Sequence, residues 1–151
     1  MSNQKKILFW TVAILAGVAV YKLQTPRGIR NNNPGNIEDN GTKWRGRVGD
    51  DGRFVIFDTP ENGIRALART LKTYHKKYGL TTVRGIINRW APAVENDTNS
   101  YIEHVAGSLG VLPDSSLSES QIMAIVPVII RHENGQQPYS IEVLNAGIQA
   151  A

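Results

Sequence analysis

The sequence has no cysteine. That excludes a disulfide framework and thiolate chemistry, and it leaves the redox compartment undecided. Histidine is scarce too, at positions 75, 104 and 132. These three show no metal-ligand spacing with one another or with acidic residues, so neither a metal nor a cofactor is expected. Aromatic residues make up 7% of the chain. No aromatic stacking platform or known reading motif accompanies its basic residues, which argues against nucleic acid as the partner. There are no internal repeats and no low-complexity tracts. At 151 residues the chain is long enough for one domain.

One long apolar run is present. Residues 7–21 carry no charge and a single polar residue, Thr11, between Lys5-Lys6 and Lys22. As a helix the run would reach about 22 Å, against about 30 Å of bilayer hydrocarbon. Snorkelling lysines and local thinning of the bilayer would cover the difference. The expected reading is a transmembrane anchor over residues 1–23, a linker at 24–26 and a domain over 27–151. A signal peptide and a buried soluble helix are the alternatives. Lys5 and Lys6 favour a cytoplasmic N-terminus with the domain facing the periplasm or cell wall. The remaining charge divides unevenly: residues 27–77 hold 11 basic and 6 acidic side chains, residues 78–151 hold 3 and 7. A domain with a basic half suits an anionic polymer such as bacterial cell wall.

Within the domain, Arg27 to Ile37 is rich in Asn, with Gly28, Pro34 and Gly35. Such a segment forms turns that present amides rather than core side chains. Amides on a rigid loop suit hydroxyl- and acetamido-rich ligands. Trp44–Val48 and Arg53–Phe57 read as two short strands around a Gly49–Gly52 turn. Thr59-Pro60 starts a helix with an apolar stripe from Ile64 to Tyr78, ended by Gly79. A short helix follows over Thr82–Trp90, with Trp90 turned inward, and a third over Asn96–Leu109, with Tyr101 one position off its buried face. Ser140 caps a last helix that turns Ile141, Leu144 and Ile148 inward.

Between these lies Ser118 to Gly135. Ser118 and Gln121 have capping-box spacing, and Asn134-Gly135 is a stop signal. Ile122, Ile125, Val126, Ile129 and Ile130 recur at helical spacing. Glu133 falls on or beside that apolar face, a position from which a carboxyl can serve as the acid in glycoside cleavage. Pro127 should kink the helix or divide it in two. The expected fold class is α+β, mostly α, with a small β-hairpin lobe.

Several of these residues look familiar together. Thr98, Tyr101, Ile102 and Val105 resemble a helix of the soluble lytic transglycosylase and goose-type lysozyme group. Asn32 through Trp44 and Phe57 to Gly63-Ile64-Arg65-Ala66 is similar to the strand lobe and following helix of flagellar-type glucosaminidases. Ile129 to Gly135 resembles the Glu-Ser-Gly helix end that carries the catalytic Glu of these enzymes. In those families the Glu helix precedes the strand lobe. Here it follows, the order of a circular permutation.

The resemblance implies a lysozyme-like domain of a phage virion that degrades peptidoglycan. Glu133 would be the catalytic acid and base, with Tyr101 steadying it. Asn33, Asn36 and Ile37 would line the cleft, and Trp44 or Trp90 would stack on sugar rings. A hydrolase needs a second carboxylate, for which Glu38, Asp39, Asp50 and Asp51 are available. A transglycosylase needs none. The rival class is a non-catalytic wall-binding or structural virion protein.

Overall fold

The structure is a computed structural model, which describes residues 25–93 and 97–151. Seven helices and one two-stranded sheet are present among them. The elements are α1 (Arg27–Arg30), β1 (Arg47–Asp50), β2 (Val55–Phe57), α2 (Pro60–Tyr78), α3 (Val83–Trp90), α4 (Thr98–Leu109), α5 (Glu119–Met123), α6 (Ile125–Asn134) and α7 (Ile141–Gln149).

Helix α2 is the axis on which the others pack. Thr59 caps its start through the Asn62 N–H, and Gly79 ends it at φ 65°. Ile64, Leu67, Ala68 and Leu71 recur three and four residues apart and are fully buried. Against this stripe α7 docks at Gly147, where an added Cβ would lie 2.6 Å from Ile64 Cβ and Cγ2. Ile86, Ile87, Ile102, Val105, Ile122, Ile129 and Ile130 complete one helical core. A smaller cluster of Val55, Phe57 and Ala66 seats the sheet on α2, with Ile37 and Trp44 packed against it.

The sheet differs from the expected hairpin in register. Gly46 at φ 77° and the Arg47 N–H donating to the Trp44 carbonyl (3.2 Å) make a turn where a strand was expected. Pairing begins at Arg47↔Phe57 and resumes at Gly49↔Ile56 after a bulge. Asp51 closes the loop by accepting from the backbone N–H groups of Arg53 (3.2 Å) and Phe54 (2.9 Å).

Pro127 does divide the Glu133 helix. It has no N–H to give back along the chain, and Ala124 both ends α5 and begins α6, with Pro127 in the tolerant first turn. The Asn-rich segment is not all turn, since α1 opens it. Ile141 is 62% exposed rather than inward; it is the first residue of α7, where Leu144 and Gly147 supply the buried contact.

The largest correction concerns the membrane. The expected architecture placed a transmembrane helix ahead of a lysozyme-like domain, but no helix among the described residues is long and apolar enough to cross a bilayer. Residues 7–21, on which the anchor was expected, lie outside the described residues. Over the described residues the fold is mixed helix and sheet with no membrane-spanning helix, so the expected membrane-anchored localisation is not supported.

Candidate functional site

Helix α6 ends by delivering Glu133 and Asn134 side by side to different tasks. Asn134 is buried, and its side-chain amide donates to the Pro34 carbonyl (2.8 Å) and the Ile130 carbonyl (2.8 Å). This pins the helix end to the Asn-rich loop 100 residues away in the chain. Gly28 allows the close approach, because a Cβ there would lie 2.5 Å from Asn134 Oδ1 and 2.6 Å from Asn36 Oδ1.

Glu133 is half-buried and lines a groove of about 970 Å³. Three donors hold its carboxyl. The Tyr101 hydroxyl (3.1 Å) and the Trp90 indole N–H (3.2 Å) both give to Oε1. The Asn36 amide approaches Oε2 at the longer distance of 3.4 Å. One oxygen is thus doubly engaged, and the other retains capacity toward the groove. Burial and the adjacent Glu133 charge push the Tyr101 phenol far above its ordinary range, so it stays a hydroxyl donor. The His132 ring stacks on Tyr101, centroids 3.5 Å apart at 10°. Burial lowers the His132 pKa, and the neighbouring Glu133 partly opposes that shift.

The expected site residues separate into two groups. Glu133, Asn36, Ile37 and Trp44 all border the groove, and Tyr101 stands behind the carboxyl it supports. Asn33 does not reach the groove. It is fully buried and braces the loop from inside, accepting from the Ile37 N–H (2.9 Å) and donating to the carbonyls of Ile37 (2.9 Å) and Val55 (2.8 Å). Ile37 therefore offers no free backbone group, since its N–H is given to Asn33 and its carbonyl also accepts from the Val55 N–H (3.0 Å). Asn36 sits at φ 49°, a left-handed conformation that Asn tolerates and that turns its amide to Glu133.

Trp90 was expected either inward or stacked on a sugar ring; it packs half-buried against the helical core, borders the groove, and gives its N–H to the carboxyl. Thr70 and Tyr74 of α2, with Phe54, form groove wall that no motif had indicated. Their only trace in the sequence is a polar-to-aromatic edge on the α2 stripe.

The strand-lobe carboxylates are committed to arginines. Arg53 pairs with Glu38 (2.7 Å) and Arg47 with Asp39 (2.6 Å) and Asp50 (3.4 Å). Arg27 grips both oxygens of Asp51 (2.6 and 2.7 Å), which Asn31 also reaches at 2.6 Å. The Arg27 guanidinium holds the Asp51 carboxyl well below the usual carboxylate range. Among the described residues no group of three or more His, Asp or Glu is placed to hold a metal ion.

No family model matches the chain. A relative does: Protein P5 of Pseudoalteromonas phage PM2 is 41% identical over 97% of this chain and 96% of its own length. The chain belongs to the P5 family. Near-complete coverage on both sides makes the kinship one of whole chains, not of a shared fragment.

Proposed function

We propose that this chain is a phage cell-wall lytic enzyme that cleaves peptidoglycan between N-acetylmuramic acid and N-acetylglucosamine, with Glu133 as its one catalytic carboxyl. The observation that carries the reading is the placement of Glu133: it lines a groove of about 970 Å³, with Oε1 held by Tyr101 and Trp90 and Oε2 met only by the longer Asn36 contact. The resemblance of the Thr98–Val105 and Ile129–Gly135 segments to transglycosylases adds to it, as does the phage relative.

In the protonated form, Glu133 Oε2 gives its proton to the glycosidic oxygen as the C1–O bond breaks. Two neutral donors on Oε1 stabilise the carboxylate left behind. That carboxylate then takes the proton of the muramyl 6-hydroxyl, whose oxygen closes on C1. An anhydro ring forms and the glutamic acid is restored. No second carboxylate is required, which agrees with the arginine pairing of Glu38, Asp39, Asp50 and Asp51.

Glu38 borders the groove and keeps a hydrolase in play as the second reading, with Arg53 as the partner it would have to release. Mass spectrometry of the products separates the two: anhydro-muramyl ends for the transglycosylase, reducing ends for the hydrolase. Zymography of Glu133→Gln against the parent tests the core claim. The variant is expected to fold and to clear no peptidoglycan, and equal clearing removes Glu133 from the mechanism. Binding of sacculi without any product would instead favour the wall-binding or structural virion protein.

A further inference from the structure

Helix α3 ends with two neighbouring residues in different settings: Trp90 lines the groove, and Arg89 lies outside its lining, stacked on a tyrosine that does line it. Trp90 holds the Glu133 carboxyl. Arg89, one position earlier, is exposed and lays its guanidinium over two tyrosine rings, 5.2 Å from the centroid of Tyr74 and 3.7 Å from that of Tyr78. Tyr74 is itself a wall of the groove. Among the described residues no carboxylate lies within ion-pair distance of Arg89, whereas Arg27, Arg47, Arg53 and Arg84 each have one. Lys77, whose ammonium sits 5.4 Å from the Tyr78 ring, adds a second positive charge to the same corner.

Stacking fixes the plane of a guanidinium and leaves its N–H edge free for a bidentate acceptor. The sugars of a wall glycan are uncharged, and its carboxylates are carried on the peptide stems of the muramyl residues. We propose that Arg89, seated on Tyr74 and Tyr78, binds a stem-peptide carboxylate of the strand lying in the groove. The inference rests on the peptidoglycan reading above. It makes peptide-bearing strands the favoured substrate, and it sets register, because the anchoring cation and the indole that holds Glu133 are consecutive residues.

The test is co-sedimentation of the full chain with intact sacculi and with sacculi whose stem carboxylates are capped as neutral amides by carbodiimide coupling, in the Glu133→Gln background so that binding is read without turnover. The Arg89-intact protein is expected to prefer intact sacculi. Arg89→Gln should cut that preference about tenfold, with a melting temperature matching the parent. Arg89→Lys, which keeps the charge and loses the planar fork, should retain part of it. Arg89→Gln with the parental preference overturns the proposal, as does a protein that prefers neither wall form. Release of soluble glycan by the Glu133-intact chain is scored separately. Its absence sinks the enzyme reading and leaves the Arg89 comparison standing.

Discussion

Replacing Gly63 with Ala should destabilise this protein, and the same change at Gly107 should stabilise it. Both glycines lie within helices, where Ala is favoured over Gly by up to about 1 kcal/mol. Gly107 is exposed, and an added Cβ meets nothing within 4 Å. Gly63 is different. A Cβ there would stand 1.8 Å from the Asn32 carbonyl oxygen, 2.9 Å from its carbon and 3.0 Å from Pro34 Cδ. The loop would have to retreat by more than an ångström.

It is not free to do so. The Asn31 carbonyl accepts from the Phe57 N–H (2.9 Å), and Asn33 is bonded to Ile37 and Val55. Overpacking costs about 1–3 kcal/mol, and each strained or broken hydrogen bond adds roughly 1 kcal/mol. Net of helix propensity, Gly63→Ala should lose about 2–3 kcal/mol. For a chain of this size that is a fall in Tm of roughly 5–10 °C. Gly107→Ala should gain up to about 1 kcal/mol, or a few degrees. Thermal melts followed by far-UV circular dichroism decide it. A Gly63→Ala protein as stable as the parent would refute the close packing of α2 on the Asn-rich loop. Because that loop carries Asn36, wall clearing should fall with stability.

Tyr101→Phe removes one of two donors to Glu133 Oε1 and leaves the ring stack intact. A hydrogen bond to a charged group is worth about 1.5–3 kcal/mol, so clearing should drop roughly 10- to 100-fold. Parental clearing by this variant would reduce Tyr101 to a core residue. Asp51 has a folded-state pKa below its unfolded one. Its contribution to stability is therefore present above about pH 4 and is lost as pH falls through the folded value. Tm measured from pH 6 downward should decline in that acid window, and Asp51→Asn should flatten the decline. A variant with the parental acid slope would show that the Arg27–Asp51 contact contributes nothing. His132 acts in the same direction at higher pH: burial favours its neutral form, so stability should start to fall as pH drops below about 6.5. His132→Phe, which keeps a flat ring on Tyr101, should remove that step from the Tm profile.

Much of the local structure was legible because its causes are local. Thr59-Pro60 and Gly79 bound α2 where the capping rules place them. Ser118 with Gln121 forms a capping box, and Gly135 ends α6 at φ 70°. The strand register was not legible, because the Gly46 turn and the bulge after Arg47 depend on what the lobe packs against. Of the site residues, Asn36 and Trp44 were placed on the groove for reasons of side-chain type, and their neighbour Asn33 was misjudged on the same ground. An amide that binds ligand and an amide that braces a loop look identical in a sequence. The inward face of Trp90 was legible from its place on the α3 stripe, but the partner of its N–H, 43 positions away, was not.

By itself the chain determined that a helix would stop at Asn134-Gly135 and leave Glu133 at its end. Periodicity, capping and the missing N–H of Pro127 act over a few residues, so they can be read in order. Only the tertiary structure decided what surrounds that carboxyl. Asn36, Trp90 and Tyr101 meet Glu133 across separations of 97, 43 and 32 residues. Burial of the isoleucine-rich core fixes how α3, α4 and α6 cross, and that crossing alone sets which distant side chains come within hydrogen-bond reach.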